Sequence, residues 1–183
     1  MAQSRVFLLD RSGSMESCRD DTIEGFNTFV EAQKPLGGTM TLALFDHEVN
    51  VLYENVPIDE VKPLDHDTFV PRGGTALYDA LGHVLKMQLP RETVVIILTD
   101  GEENSSRTYT GPHLKDLIEN KQTNDGWSFV YLGANQDTIM SASRLGIRTT
   151  MQYEPGTQTP ELFRALSQTV SLGPLTPGHT QII

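Results

Sequence analysis

Twice in this chain a short, continuous apolar run stops on an aspartate. Val6-Phe7-Leu8-Leu9 ends at Asp10, and Val94-Val95-Ile96-Ile97-Leu98 ends, after Thr99, at Asp100. Runs like these, without polar alternation, read as strands buried on both faces, the signature of a parallel sheet covered by helices. The first aspartate also opens Asp10-Arg11-Ser12-Gly13-Ser14, a carboxylate followed by two hydroxyls at alternate positions across a glycine. A core has no need of that pattern. A hard divalent cation does, because it takes carboxylate, hydroxyl and water oxygens. Gly13 is expected to let the turn fold tightly enough for Ser12 and Ser14 to face one point. The competing assignment makes Asp10 a cap for the next helix and the serines ordinary turn residues.

The segments between these runs alternate strand and helix. Asp20-Asp21-Thr22 puts acids at the positive end of a helix whose Ile23, Phe26, Phe29 and Val30 recur at helical spacing, and Pro35 with Gly37-Gly38 ends it. Thr39 to Phe45 reads as a strand, Asp46-His47-Glu48 as a hairpin turn of solvated residues, and Val49 to Tyr53 as the returning strand. A connector broken by Pro57, Pro63 and Pro71 leads to Gly73-Gly74-Thr75. Leu77, Ala80, Leu81, Val84 and Leu85 then form one apolar helical stripe, which Pro90 closes. After the second apolar strand come a loop from Glu102 to Pro112, a short helix over His113–Asn120 and a strand over Trp127–Leu132. A helix from about Asp137 to Leu145 ends at Gly146; a short, polar edge strand over Ile147–Met151 and a helix carrying Leu162, Phe163, Leu166 and Val170 complete the pattern. This order specifies an α/β fold: a doubly wound, mostly parallel sheet flanked by helices, with the hairpin adding one antiparallel edge strand.

Asp10, Ser12 and Ser14, then Thr75 behind its glycines, then Asp100 before Gly101 carry a resemblance. Together they resemble the von Willebrand factor type A (vWA) domain and its metal-ion-dependent adhesion site, an Asp-x-Ser-x-Ser turn completed by a threonine and an aspartate from two further loops. The resemblance implies a Rossmann-like, six-stranded sheet in the order 3-2-1-4-5-6, covering residues 1–172, with 173–183 left as a flexible tail. In that order the first and fourth strands are neighbours where the winding reverses, and ligands of open α/β sheets bind at such a switch point. Residues 10 and 100 would then meet in one crevice. The family's serines bind the ion directly, and its threonine and aspartates bind directly or through water. The implied ion is Mg²⁺ or Mn²⁺, with Ca²⁺ a further candidate. The last coordination position goes to an Asp or Glu of a partner protein. Single-domain relatives in bacteria and phages further imply AAA-type ATPases as a class of partner.

Composition excludes several other functions. A formal charge of −10 argues against nucleic acid and against an anionic membrane surface as partners. No apolar run approaches the roughly 20 residues that span a bilayer. The only cysteine is Cys18, and the N-terminus leads at once into the first strand without room for a signal peptide, so a reduced, cytoplasmic protein is expected. Nucleotide-binding glycine motifs are absent. The expected role is therefore a protein-binding adaptor or scaffold and not an enzyme. Two alternatives stand beside it: a metal-dependent hydrolase using His47 as base, and a self-assembling structural protein whose neighbouring copy supplies the carboxylate. Arg11 and Arg72 are candidates to hold the second oxygen of an incoming carboxylate or to pair with neighbouring acids. Ile182-Ile183 is a candidate to add to a sheet.

Overall fold

The structure, a computed structural model, describes residues 2–134, 136–152, 159–171 and 180–182. Its central strand is β1 (Ser4–Asp10), every residue of which is buried. β1 pairs in parallel with β2 (Thr39–Phe45) on one side and with β4 (Val94–Thr99) on the other. β2 turns back through Asp46-His47-Glu48 into β3 (Val49–Pro57), the antiparallel strand. Beyond β4 lie β5 (Ser128–Gly133), β6 (Thr149–Gln152) and β7 (Thr180–Ile182), all parallel. The first six strands take the expected order, and β7 adds a seventh beside β6. The tail expected over 173–183 falls outside the described residues apart from that strand. No helix among the described residues is long and apolar enough to cross a membrane.

Alternation along β1 divides the core in two. Phe7 and Leu9 face α1 (Arg19–Gln33) and α5 (Thr159–Ser171), while Val6 and Leu8 face α2 (Leu77–Leu85), α3 (Gly111–Asp125) and α4 (Gln136–Arg144). Phe7 anchors the first layer, edge-on to Phe26 at 5.2 Å and Phe29 at 5.6 Å and stacked on Phe163 at 6.2 Å. Each ring contributes about 1.5–3 kcal/mol by leaving water. Gly25 makes the α1–α5 approach possible, since a Cβ there would sit 2.2 Å from the Phe163 ring.

Three local readings change. The short helix expected over His113–Asn120 runs from Gly111 to Asp125, because the Thr110 hydroxyl caps its start by accepting from the His113 N–H. The strand expected to be a polar edge is buried: Thr149 is 6% and Thr150 3% exposed, with β5 on one side and β7 on the other. The proline-rich connector is irregular as expected, yet Val61, Leu64 and Phe69 are buried in the first layer. Asn27 of α1 holds it through both its amide groups, which pair with the Leu64 N–H and carbonyl.

Candidate metal-binding site at the sheet edge

Leu9 and Leu98 are register partners, so β1 and β4 end together and release Asp10 and Asp100 at the same edge. Asp10 is fully buried. Its Oδ1 accepts from the Ser12 N–H at 2.7 Å, and its Oδ2 accepts from the Thr99 hydroxyl at 2.7 Å. The Ser12 and Ser14 hydroxyls are 3.1 Å apart, and Ser14 donates to Asp100 Oδ1 at 2.8 Å. Residues 86 positions apart in sequence are thus linked directly. A Cβ on Gly101 would lie 3.6 Å from the Thr75 hydroxyl and 3.9 Å from that of Ser14, which brings Thr75 to the same spot. The structure therefore gathers Asp10, Ser12, Ser14, Thr75 and Asp100 around one point.

One assignment from sequence changes here. Asp10 caps no helix; the turn after it is a 3₁₀ stretch, Gly13–Cys18, whose N-cap position is Ser12. Gly13 holds its turn without a left-handed backbone, and its N–H donates to the Gly73 carbonyl at 3.1 Å, docking the first loop on the second. Gly73 itself is left-handed, at φ 65°, and lies close under His47. Thr75 lies just before Ala76, the N-cap position of α2. What holds Thr75 is Asn104, whose Oδ1 accepts from the Thr75 N–H at 2.8 Å while its own N–H donates to the Thr75 carbonyl at 2.9 Å. Both contacts use backbone, so the hydroxyl is not consumed in positioning the residue.

The third loop is fastened to α2 in the same way. Glu103 accepts from the Tyr78 N–H, and Asp79 accepts from the N–H groups of Arg107, Thr108 and Tyr109. Burial draws the Asp79 carboxyl up, but those N–H donors outweigh it and hold the group below its ordinary value.

Electrostatics separates the pair from its surroundings. Burial pushes the Asp10 carboxyl up, and the Ser12 and Thr99 donors offset this in part while Asp100 adds to it. Burial likewise raises Asp100, against the Ser14 hydrogen bond. Among the described residues no Lys, Arg or His pairs with either one. Cys18 lies beneath the turn, and burial pushes its thiol up to about 11, so it is inert and protonated.

Asp46 was expected to be solvated and is not. It is fully buried, and its Oδ2 takes Arg11 Nε at 3.0 Å and Arg72 Nε at 2.6 Å, while Oδ1 takes the Glu48 N–H at 2.7 Å. Of the two roles open to Arg11 and Arg72, pairing with a neighbouring acid is the one observed. Burial raises Asp46, but the Glu48 N–H and the two arginines outweigh it, leaving the carboxyl below its ordinary value. Asp46, His47 and Glu48 lie close enough together to suggest a metal site of their own. Both Asp46 oxygens are already engaged, however, and two guanidinium charges adjoin them, so a dication would be repelled.

Sequence reasoning missed the bonds by which Thr99, Asn104 and Asp46 hold this edge together. Thr99 had a signal, being the one hydroxyl in an otherwise aliphatic buried strand. Asn104 had none, since its role depends on where an irregular loop folds back.

No family model matches the chain, and no curated protein matches it in sequence. Solved structures do. The chain is similar to a von Willebrand factor type A protein from Catenulispora acidiphila at TM-score 0.65 and 19% identity, covering 92% of this chain and 42% of that one. Proximal thread matrix protein 1 from the mussel byssus matches at TM-score 0.68 and 14% identity, covering 93% of this chain and 48% of that one. The chain thus spans less than half the length of these two. The von Willebrand factor domain of the type V pili tip protein Mfa5 from Porphyromonas gingivalis matches at TM-score 0.67 and 13% identity, with 98% of both chains covered. At these identities the likeness speaks for architecture: the chain has the fold of a vWA domain.

Proposed function

We propose that the chain is a metal-dependent protein-binding module, an adaptor or scaffold without catalysis of its own. It takes a partner's carboxylate through a divalent cation held by Asp10, Ser12, Ser14, Thr75 and Asp100. The observation that carries this reading is the hydrogen-bonded run from Ser12 through Ser14 to Asp100 beside buried Asp10, with no cationic side chain among the described residues paired to either acid. The donors are all hard oxygens, which suits Mg²⁺ or Mn²⁺ first and Ca²⁺ after them. A bound cation would supply a positive centre that two carboxylates nearly neutralise and that still draws a third from outside.

The chain's own residues hold that arrangement in place. The Ser12 N–H and Thr99 hydroxyl fix the two oxygens of Asp10, Asn104 fixes Thr75, and the 102–107 loop borders the place where a partner would dock. Preorganisation of this kind lowers the ordering cost of binding. Hydrolysis at His47 gains no support, because the neighbouring Asp46 is committed to two arginines. The similar proteins named for a pili tip and a byssal thread matrix fit a contact-making role. We read the setting as cytoplasmic, with AAA-type ATPases as one class of partner. Calorimetric titration with Mg²⁺ and Mn²⁺, of wild type and of Asp10→Ala, tests the site: equal affinity in both would overturn the assignment. Capture of a partner in Mg²⁺ and its loss in EDTA tests the function.

A further inference from the structure

At the opposite edge of the sheet, Arg5 of β1 is 1% exposed, the bulkiest side chain buried to that degree among the described residues. Its Nε donates to Gln33 Oε1 at 2.9 Å, and its Nη1 donates to the carbonyls of Gly37 at 2.9 Å and Gln3 at 3.2 Å. All three acceptors are neutral. No carboxylate among the described residues pairs with this guanidinium, and Nη2 donates to none of them. Burial alone therefore acts on its charge, holding the group below its ordinary value.

A buried cation without a counter-charge is costly, and neutral acceptors such as the Gly37 carbonyl and Gln33 Oε1 offset only part of that cost. Arg5 also lines an open cavity of about 650 Å³, together with Ser4, Ser128 and Arg91. Arg91 is exposed and makes no ion pair among the described residues. Glu92 lines the same cavity without reaching ion-pair distance of either arginine. Two uncompensated cations thus share one cavity in a chain of net charge −10.

We propose that this cavity binds a small oxyanion, a phosphate or carboxylate group, with Arg5 Nη2 and the Arg91 guanidinium as its charged donors. An anion there would supply the counter-charge that the fold withholds from Arg5. Its binding is independent of the cation site, which lies at the other ends of the same strands.

Thermal unfolding of the full chain in inorganic phosphate, in acetate and in chloride at matched ionic strength tests this, with the Arg5 Nε–Hε resonance followed in parallel. The expected result is a saturable rise in Tm with phosphate or acetate beyond that in chloride, and movement of the Arg5 resonance along the same curve. Arg91→Ala should weaken that affinity roughly two- to fivefold, the worth of one exposed charge, and Arg91→Lys should restore part of it. Comparing the phosphate and acetate arms identifies the oxyanion. Phosphoserine binding as well as phosphate would mean that the group can arrive on a larger molecule. No saturable rise beyond chloride would overturn the proposal. So would a rise that leaves the Arg5 resonance unmoved and is unchanged in Arg91→Ala.

Discussion

Asp10 and Asp46 stand at the ends of adjacent strands, Asp10 in register with Phe45 and Asp46 one residue beyond. Both are fully buried, yet they are handled in opposite ways. Asp46 receives two guanidinium groups from its own chain and is stabilised in its charged form. Among the described residues Asp10 receives only neutral donors; a second carboxylate lies nearby, and the group is pushed toward its neutral form. One centre is electrostatically closed and the other open. The closed centre does structural work: through Arg11 and Arg72, and through its carbonyl, which accepts from the Ala76 N–H, Asp46 clamps the 10–14 and 72–76 loops together. The open centre is what those loops then present.

Removing the closed centre should have the largest effect. Asp46→Asn leaves two arginines facing a neutral amide in a buried position, and should cost about 3 kcal/mol, read by urea unfolding. A loss within error of zero would mean that the clamp is ornamental. Cation addition is the next largest effect. At a concentration near 100 times its Kd, Mg²⁺ should stabilise wild type by about 2.7 kcal/mol over EDTA and leave Asp10→Asn unmoved, as followed by Tm. In EDTA that variant should match or exceed wild type, because the asparagine ends a repulsion while its carbonyl still accepts from the Ser12 N–H.

Acidity sharpens the contrast further. The folded pKa of Asp46 is depressed, so its stabilising contribution is complete above the ordinary carboxylate range, about 4, and is lost as pH falls through the depressed value. The folded pKa values of Asp10 and Asp100 are raised, so their contribution is complete below that range and is lost as pH rises through the raised values. In EDTA, the deficit of Asp46→Asn should therefore narrow as pH falls below the ordinary carboxylate range, and Asp10→Asn should gain on wild type as pH rises above it. Parallel pH profiles for the two variants would erase the distinction. The smallest stability change belongs to Thr75→Val, which keeps the shape and both backbone bonds to Asn104. It should alter stability by less than about 1 kcal/mol while lowering Mg²⁺ affinity roughly tenfold.

The open centre was legible in the sequence because its residues are contiguous or sit beside strong strand and glycine signals. Val94–Leu98 announces both its burial and its end, and Asp100 follows after Thr99. The closed centre was not. Asp46-His47-Glu48 has the composition of a solvated turn, and only the folded chain brings Arg11 and Arg72 to it from 35 and 26 residues away. The same limit applies to β6: threonines at its start look like edge residues until β7 arrives from about thirty positions later.

The link from Ser14 to Asp100 has a kinetic meaning as well. Its two ends are 86 residues apart, and the bond from Thr99 to Asp10 spans 89. Non-local parallel pairing of this kind is slow to form, because loop closure must precede the contacts that reward it. During synthesis β1 must wait for more than half of the chain before its second neighbour exists. The edge that gathers Asp10, Ser14 and Asp100 is then among the later parts to become ordered. An ion that recognises this edge finds no target in the early collapsed chain, so it should slow unfolding and leave the refolding rate nearly unchanged.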